Sequence, residues 1–189
     1  MKRRAFLATT GLVATTGCLG RAVGGGDGPT TRDDTTARDD VTTAKDEASC
    51  PTVHDSVDAT VCAGAPNDRA VSFGQSTDRL TAGEVLELTL VNEDAESVGL
   101  NPYDWAVYRE TDDGWKRVER GPVIEPWVVL EAGDRVHWRV GVGDAAPDTS
   151  PEDVYGGSLA LDSSQRYAFS VSVDVAGDRV SLVAPFTVE

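Results

Sequence analysis

Arg166-Tyr167-Ala168-Phe169-Ser170-Val171-Ser172-Val173-Asp174-Val175 decides the fold class. Large apolar residues at Tyr167, Phe169, Val171, Val173 and Val175 alternate with small or polar ones, which is how a strand with one buried face is written. Wound as a helix of about 3.6 residues per turn, the same run would split its apolar groups between opposite sides. The alternation recurs elsewhere. In Glu84–Asn92, Leu86, Leu88 and Leu90 alternate with Glu87 and Thr89; in Asp134–Gly141, Val136, Trp138 and Val140 alternate with Arg135, His137 and Arg139. Val180, Leu182, Phe186 and Val188 form the last row. Turn signals separate these rows: Thr81-Ala82-Gly83-Glu84 and Glu131-Ala132-Gly133-Asp134 each launch a strand, and Asp112-Asp113-Gly114 turns a hairpin between Trp105–Glu110 and Trp115–Glu119. No window of useful length carries helical periodicity. The expectation is an all-β chain, with residues 50–189 folded as one antiparallel β-sandwich of about seven to nine strands and enough chain for a core.

The N-terminus reads differently. Arg3-Arg4 precedes a short, mildly apolar stretch that closes on Thr15-Thr16-Gly17-Cys18. A paired arginine before such a run is the mark of a twin-arginine export signal over residues 1–17, and a cysteine where the run ends is a lipid-attachment site. Leu7 to Leu19 is too short to cross a bilayer, which takes about 20 apolar residues, and it contains four threonines. The alternative is an ordinary cleaved signal with Cys18 there by chance; Thr15 stands where lipid-attachment motifs usually carry Leu. The expected address is the cell membrane, lipid-anchored through Cys18 and facing the exterior. Residues 18–49 follow as a Thr/Asp-rich tether, including Thr30-Thr31-Arg32-Asp33-Asp34 and Thr35-Thr36-Ala37-Arg38-Asp39-Asp40. With almost no large apolar residue to offset its ordering entropy, it should be a disordered acidic linker.

Acids outnumber bases, 32 to 17, for a formal net charge of −15. Cleavage before Cys18 would remove Lys2, Arg3 and Arg4 and no acid. This balance argues against nucleic acid, whose binding depends on cationic groups displacing phosphate counterions. It equally disfavours an anionic membrane surface, so a lipid would have to do the anchoring. The only lysines are Lys2, Lys45 and Lys116. Excess acid with scarce lysine resembles proteins of salt-loving archaea, where molar salt shortens the Debye length to about 3 Å and screens self-repulsion.

Cys50 and Cys62 form an even pair in an exported chain once Cys18 is lipidated, and a disulfide is expected between them. Free thiols, or a metal shared with His54, are the alternatives; a closed zinc site takes four ligands, and His137 lies in a separate row. Catalysis has little to work with, because His54 and His137 sit in no motif with a nucleophile. Trp138 and Trp105 suit a core, while Trp115 and Trp127, near a hairpin and Pro126, are candidates for an exposed binding surface. Arg135, His137 and Arg139 should project from one face of a strand, either to meet an acidic partner or to pair across strands with acids such as Glu87. Asp144–Asp153, with Asp144, Asp148, Glu152 and Asp153, could be a solvated acidic loop or a Ca²⁺ ligand set, though its spacing fits no standard calcium loop.

From Leu80 to Asn92 the chain resembles the opening strand pair of bacterial immunoglobulin-like domains found in exported lipoproteins. Trp105-Ala106-Val107-Tyr108-Arg109, Gly114-Trp115-Lys116-Arg117-Val118 and Leu130-Glu131-Ala132-Gly133-Asp134 follow in that family's order. The resemblance covers about residues 71–188, departs from the compact pattern between Val140 and Gly157, and implies an immunoglobulin-like sandwich with no catalytic residues. A related sandwich group includes small bacterial proteinase inhibitors. The function expected is non-catalytic, without enzyme activity or cofactor: binding of another envelope protein or a surface polymer. The alternatives are proteinase inhibition through Asp144–Asp153 or Asn92–Asp104, and an accessory role in an envelope transport or electron-transfer complex, for which no copper or haem ligand set is visible.

Overall fold

The computed structural model describes residues 50–189. Arg3, Arg4, Cys18 and the tether lie outside them. Eleven strands follow in order: β1 (Ala59–Cys62), β2 (Val71–Gln75), β3 (Arg79–Leu80), β4 (Val85–Asn92), β5 (Val98–Thr111), β6 (Gly114–Arg117), β7 (Val128–Leu130), β8 (Arg135–Val142), β9 (Val154–Leu159), β10 (Gln165–Val175) and β11 (Asp178–Val188). They form two sheets. The larger runs β1-β11-β10-β5-β6, with β3 also on β11 and β7 also on β5; the smaller runs β2-β4-β8-β9. The all-β sandwich expected from the alternating rows is the architecture found.

The apolar rows meet in one core. Leu86, Leu88, Leu90, Val136, Trp138 and Val140 face Tyr167, Phe169, Val171, Val173 and Leu182, all buried. Phe169 is at its centre, with ring centroids 5.8 Å from Trp105, 5.7 Å from Trp138 and 6.4 Å from Phe73. The buried Trp138 indole finds its one polar partner in the Pro102 carbonyl, at 2.9 Å.

The sandwich is not purely antiparallel, which corrects the expectation. β1 and β3 run parallel to β11, and β9 runs parallel to β8. Alternation marks which face is buried and carries no information about strand direction, so short returning edge strands stayed invisible. β1 and β3 lie one after the other along the same edge of β11, pairing with Val180–Val183 and Thr187–Val188. Pro185 falls in the gap between them. It has no N–H to leave unpaired, and its carbonyl accepts from Gln75 Nε2 at 3.2 Å.

β5 also starts earlier than expected, at Val98. Its first half was hidden by Asn101–Asp104, where β5 advances from Leu100 to Trp105 while β10 moves only from Val173 to Val171. The bulge breaks the period-two pattern. Val98–Asp104 is therefore strand, which shortens the expected Asn92–Asp104 inhibitory loop to residues 93–97. β8 and β9 likewise shorten the supposed insert to residues 143–153.

The outer face of the larger sheet is covered as well. Ala106, Ala168, Ser170, Ser181 and Val183 are buried, with the two serine hydroxyls 3.0 Å apart. Residues 50–58 supply a strap on this side. Pro51 is buried, His54 meets Tyr108 edge-on at 5.5 Å, and Asp58 exchanges backbone and side-chain bonds with Arg179 at 2.8 Å. The strap is closed by the Cys50–Cys62 disulfide, with Cα atoms 5.7 Å apart, as expected from the even cysteine pair. Closing so short a loop contributes about 3 kcal/mol in the chain-entropy model.

Candidate binding surface

Residues 118–127 connect β6 to β7 without regular structure, yet the segment is pinned along its length. Val118 N–H donates to Val107 C=O at 2.7 Å. The Arg120 guanidinium lies 4.1 Å over the Trp105 ring and donates to the Tyr103 carbonyl in the β5 bulge. Asn101 Nδ2 donates to Ile124 C=O at 3.2 Å. Beyond Pro126, the Nε1–Cζ2 edge of Trp127 rests on Gly99, where a Cβ would come within 2.6 Å of the ring. Gly99 is the seat of this indole, and its partner across the ladder is Val129.

What the pinned segment and the following β7 display is apolar. Ile124, Trp127 and Val129 are 63%, 60% and 56% exposed, the large hydrophobic side chains left uncovered among the described residues. Fully burying such a side chain is worth about 1.5–3 kcal/mol. A rigid segment that keeps three of them in water has already met the ordering cost of binding.

The other anticipated residues fall elsewhere. Trp105 and Trp138 are core, and Trp115 is half-buried on β6 opposite Glu110. Arg135, His137 and Arg139 do share the outer face of the smaller sheet, but the row is not a free cationic patch. Arg139 is ion-paired with Glu87 across the ladder at 3.0 Å and donates to Asp148 C=O at 3.2 Å. His137 Nδ1 is 3.0 Å from Thr89 Oγ1, and the His137 N–H donates to Asp153 C=O at 3.0 Å. Only Arg135 stands exposed. The Asp144–Asp153 loop is thus tied to the row it follows, roofing a cavity of about 420 Å³ lined by Thr89, His137, Pro151 and Asp153. Ser150 hydrogen bonds hold the Asp148 carboxyl below the usual range, so this acid serves a turn. Among the described residues no grouping of His, Cys, Asp and Glu could hold a metal ion.

His54 is the other titratable group in a special setting. Burial against Tyr108 lowers its pKa from 6.5, and the Arg117 cation adds to the effect. With the folded pKa below the unfolded one, the unfolded chain takes up the proton first as pH falls. The contribution is complete above about pH 6.5 and is lost as pH drops through the folded pKa. Melting temperature should therefore decline from pH 7 to 5, and His54→Gln should flatten that part of the profile. An unchanged slope in the variant would remove His54 as the cause.

Sequence reasoning did not single out Ile124, Val129 or Arg117. For Ile124 a signal existed: Pro122-Val123-Ile124-Glu125-Pro126 places apolar side chains between two prolines, where neither strand nor helix can bury them.

No family model matches the chain, and no curated protein matches it. Among solved structures, the sporulation control protein Spo0M from Bacillus subtilis is similar at 14% identity, over 63% of this chain and 48% of that one, with a TM-score of 0.30. The chain spans about half the length of that structure.

Proposed function

We propose that this is a lipid-anchored envelope protein, exported through its Arg3-Arg4 signal and held by a lipid on Cys18, whose sandwich binds another envelope protein without catalysis. The observation that carries the binding role is the exposed Ile124–Trp127–Val129 surface on a segment fixed at Val107, Tyr103, Asn101 and Gly99. Charge supports an apolar mode of contact. On a chain of net charge −15, long-range attraction to another acidic protein is unavailable, and in molar salt it would be screened beyond about 3 Å. Apolar contact works there, and tryptophan is among the residue types enriched at binding hot spots.

The test is crosslinking in intact membranes at high salt, followed by identification of what is joined to the chain. One partner should recur with the native chain and fall at least about tenfold with Trp127→Ala, the loss expected of an anchor residue. Equal recovery from both would end the proposal for this surface. The anchor is tested separately: Cys18→Ser should move the protein from the membrane fraction to the soluble fraction, and continued membrane retention would exclude the lipid.

A further inference from the structure

The arginines of the described residues divide into two groups. Arg69, Arg79, Arg109, Arg139 and Arg166 each stand within ion-pair distance of a carboxylate. Arg117, Arg120, Arg135 and Arg179 have no such partner among the described residues. On a chain with so many acids to spare, an unpaired arginine needs a reason. Arg120 has one in the Trp105 ring and the Tyr103 carbonyl, while the Arg179 charge, like that of Arg117, acts on His54. Arg135 stands alone at the start of β8. Arg117 has company.

Arg117 lies on β6 opposite Tyr108, and Trp115, two residues earlier, lies opposite Glu110. Period two puts Trp115, Arg117, Tyr108 and Glu110 on one face of the sheet. Glu110 is engaged by Arg166 at 3.0 Å, and His54 stands edge-on to Tyr108. Lys116 points to the other face and pairs with Asp113. Asp104 acts electrostatically on His54 and Tyr108, as Arg117 does, yet makes no ion pair with Arg117. The hairpin face thus offers an exposed guanidinium beside a half-exposed indole, with an imidazole and a phenol next to them.

We propose that Trp115 and Arg117 form a binding site for an anionic sugar, the guanidinium holding a carboxylate or sulfate group and the indole stacking on the ring. A guanidinium fork matches two oxygens of such a group bidentately, and the aromatic face receives the apolar side of a pyranose. The pairing suits high ionic strength, where repulsion between a chain of net charge −15 and a polyanion is screened. Salt removes attraction at a distance but leaves a contact ion pair partly intact, and it does not weaken apolar stacking. A peptide carboxylate would satisfy Arg117 alone and leave Trp115 without a role. This site is separate from the Trp127 surface, so either can fail without the other.

Titration of the full chain with oligogalacturonate, dextran sulfate and neutral dextran, followed by calorimetry and tryptophan fluorescence at low and molar salt, tests it. Galacturonate binding without sulfate binding identifies a carboxylated ligand, and the reverse a sulfated one. Arg117→Gln should weaken the anionic probe at least about tenfold, Arg117→Lys should restore part of that, and Trp115→Ala should weaken binding and abolish the fluorescence response. Arg117 is exposed, so its variants should keep the native melting temperature and remain interpretable if Trp115→Ala misfolds. Binding of neutral dextran equal to that of the anionic probes, unchanged affinity in Arg117→Gln, or no binding of either anionic probe at millimolar concentration would each overturn the proposal.

Discussion

Phe169→Ala should lower the unfolding free energy of the sandwich by about 3–5 kcal/mol, read as a large drop in denaturant midpoint with little change in slope. Phe169 is fully buried and touches aromatic rings from three other strands: Phe73 on β2, Trp105 on β5 and Trp138 on β8. Removing its ring withdraws the common neighbour of residues from both sheets. The tryptophans are held from behind by polar contacts, Trp138 by the Pro102 carbonyl and Trp105 by the Arg120 guanidinium, so they cannot collapse freely into the space. Phe169→Leu, which keeps most of the volume, should cost about 1.5 kcal/mol or less. A loss below about 1 kcal/mol for the alanine variant would show that the two sheets do not depend on this contact.

Gly156→Ala should be the most damaging single-methyl change in the smaller sheet, costing at least about 3 kcal/mol. Gly156 has φ +145°, and a Cβ there would stand 1.8 Å from the Arg139 carbonyl oxygen, its ladder partner on β8. Backbone strain and backbone overlap coincide, and neither can be relieved by turning a side chain. The neighbouring Gly157 is the control. A Cβ there meets only Trp105 Cζ2, at 3.9 Å, so Gly157→Ala should change the denaturation midpoint little. Equal effects at the two glycines would mean that the parallel β8–β9 pairing is not what Gly156 protects.

These two positions show what the sequence could and could not convey. Phe169 was legible, because it sits in an uninterrupted alternating row, and so were Leu86, Leu88, Leu90 and Trp138. The Arg139–Glu87 pair was also foreseeable, since side chains across an antiparallel ladder meet at known positions. Gly156 was not legible. Its role depends on β9 lying parallel to β8, and direction leaves no mark in a six-residue strand. Ala168, Ser170 and Ser181 are buried where alternation put a solvent face, because a strap from far upstream lies on that side. The binding surface was half legible: Trp127 stood out as a residue type, but its seat on Gly99 joins residues distant in the chain. Arg117 was lost among many charges until the ion pairs of its neighbours could be seen.

The strap has a mechanical consequence. Under the proposed anchoring through Cys18 and binding of a partner, tension along the chain would enter the sandwich at Cys50. The bridge to Cys62, a sequence separation of 12 residues, lets the load cross directly to the far end of β1. His54 on Tyr108 and Asp58 on Arg179 both lie on the stretch that the bridge bypasses, so the load reaches the β1–β11 ladder only at Cys62, opposite Val183. With the bridge intact, the weakest contacts at the point of attachment are removed from the load path. With it reduced, the same pull would peel the strap and strip β1 from β11, one contact at a time.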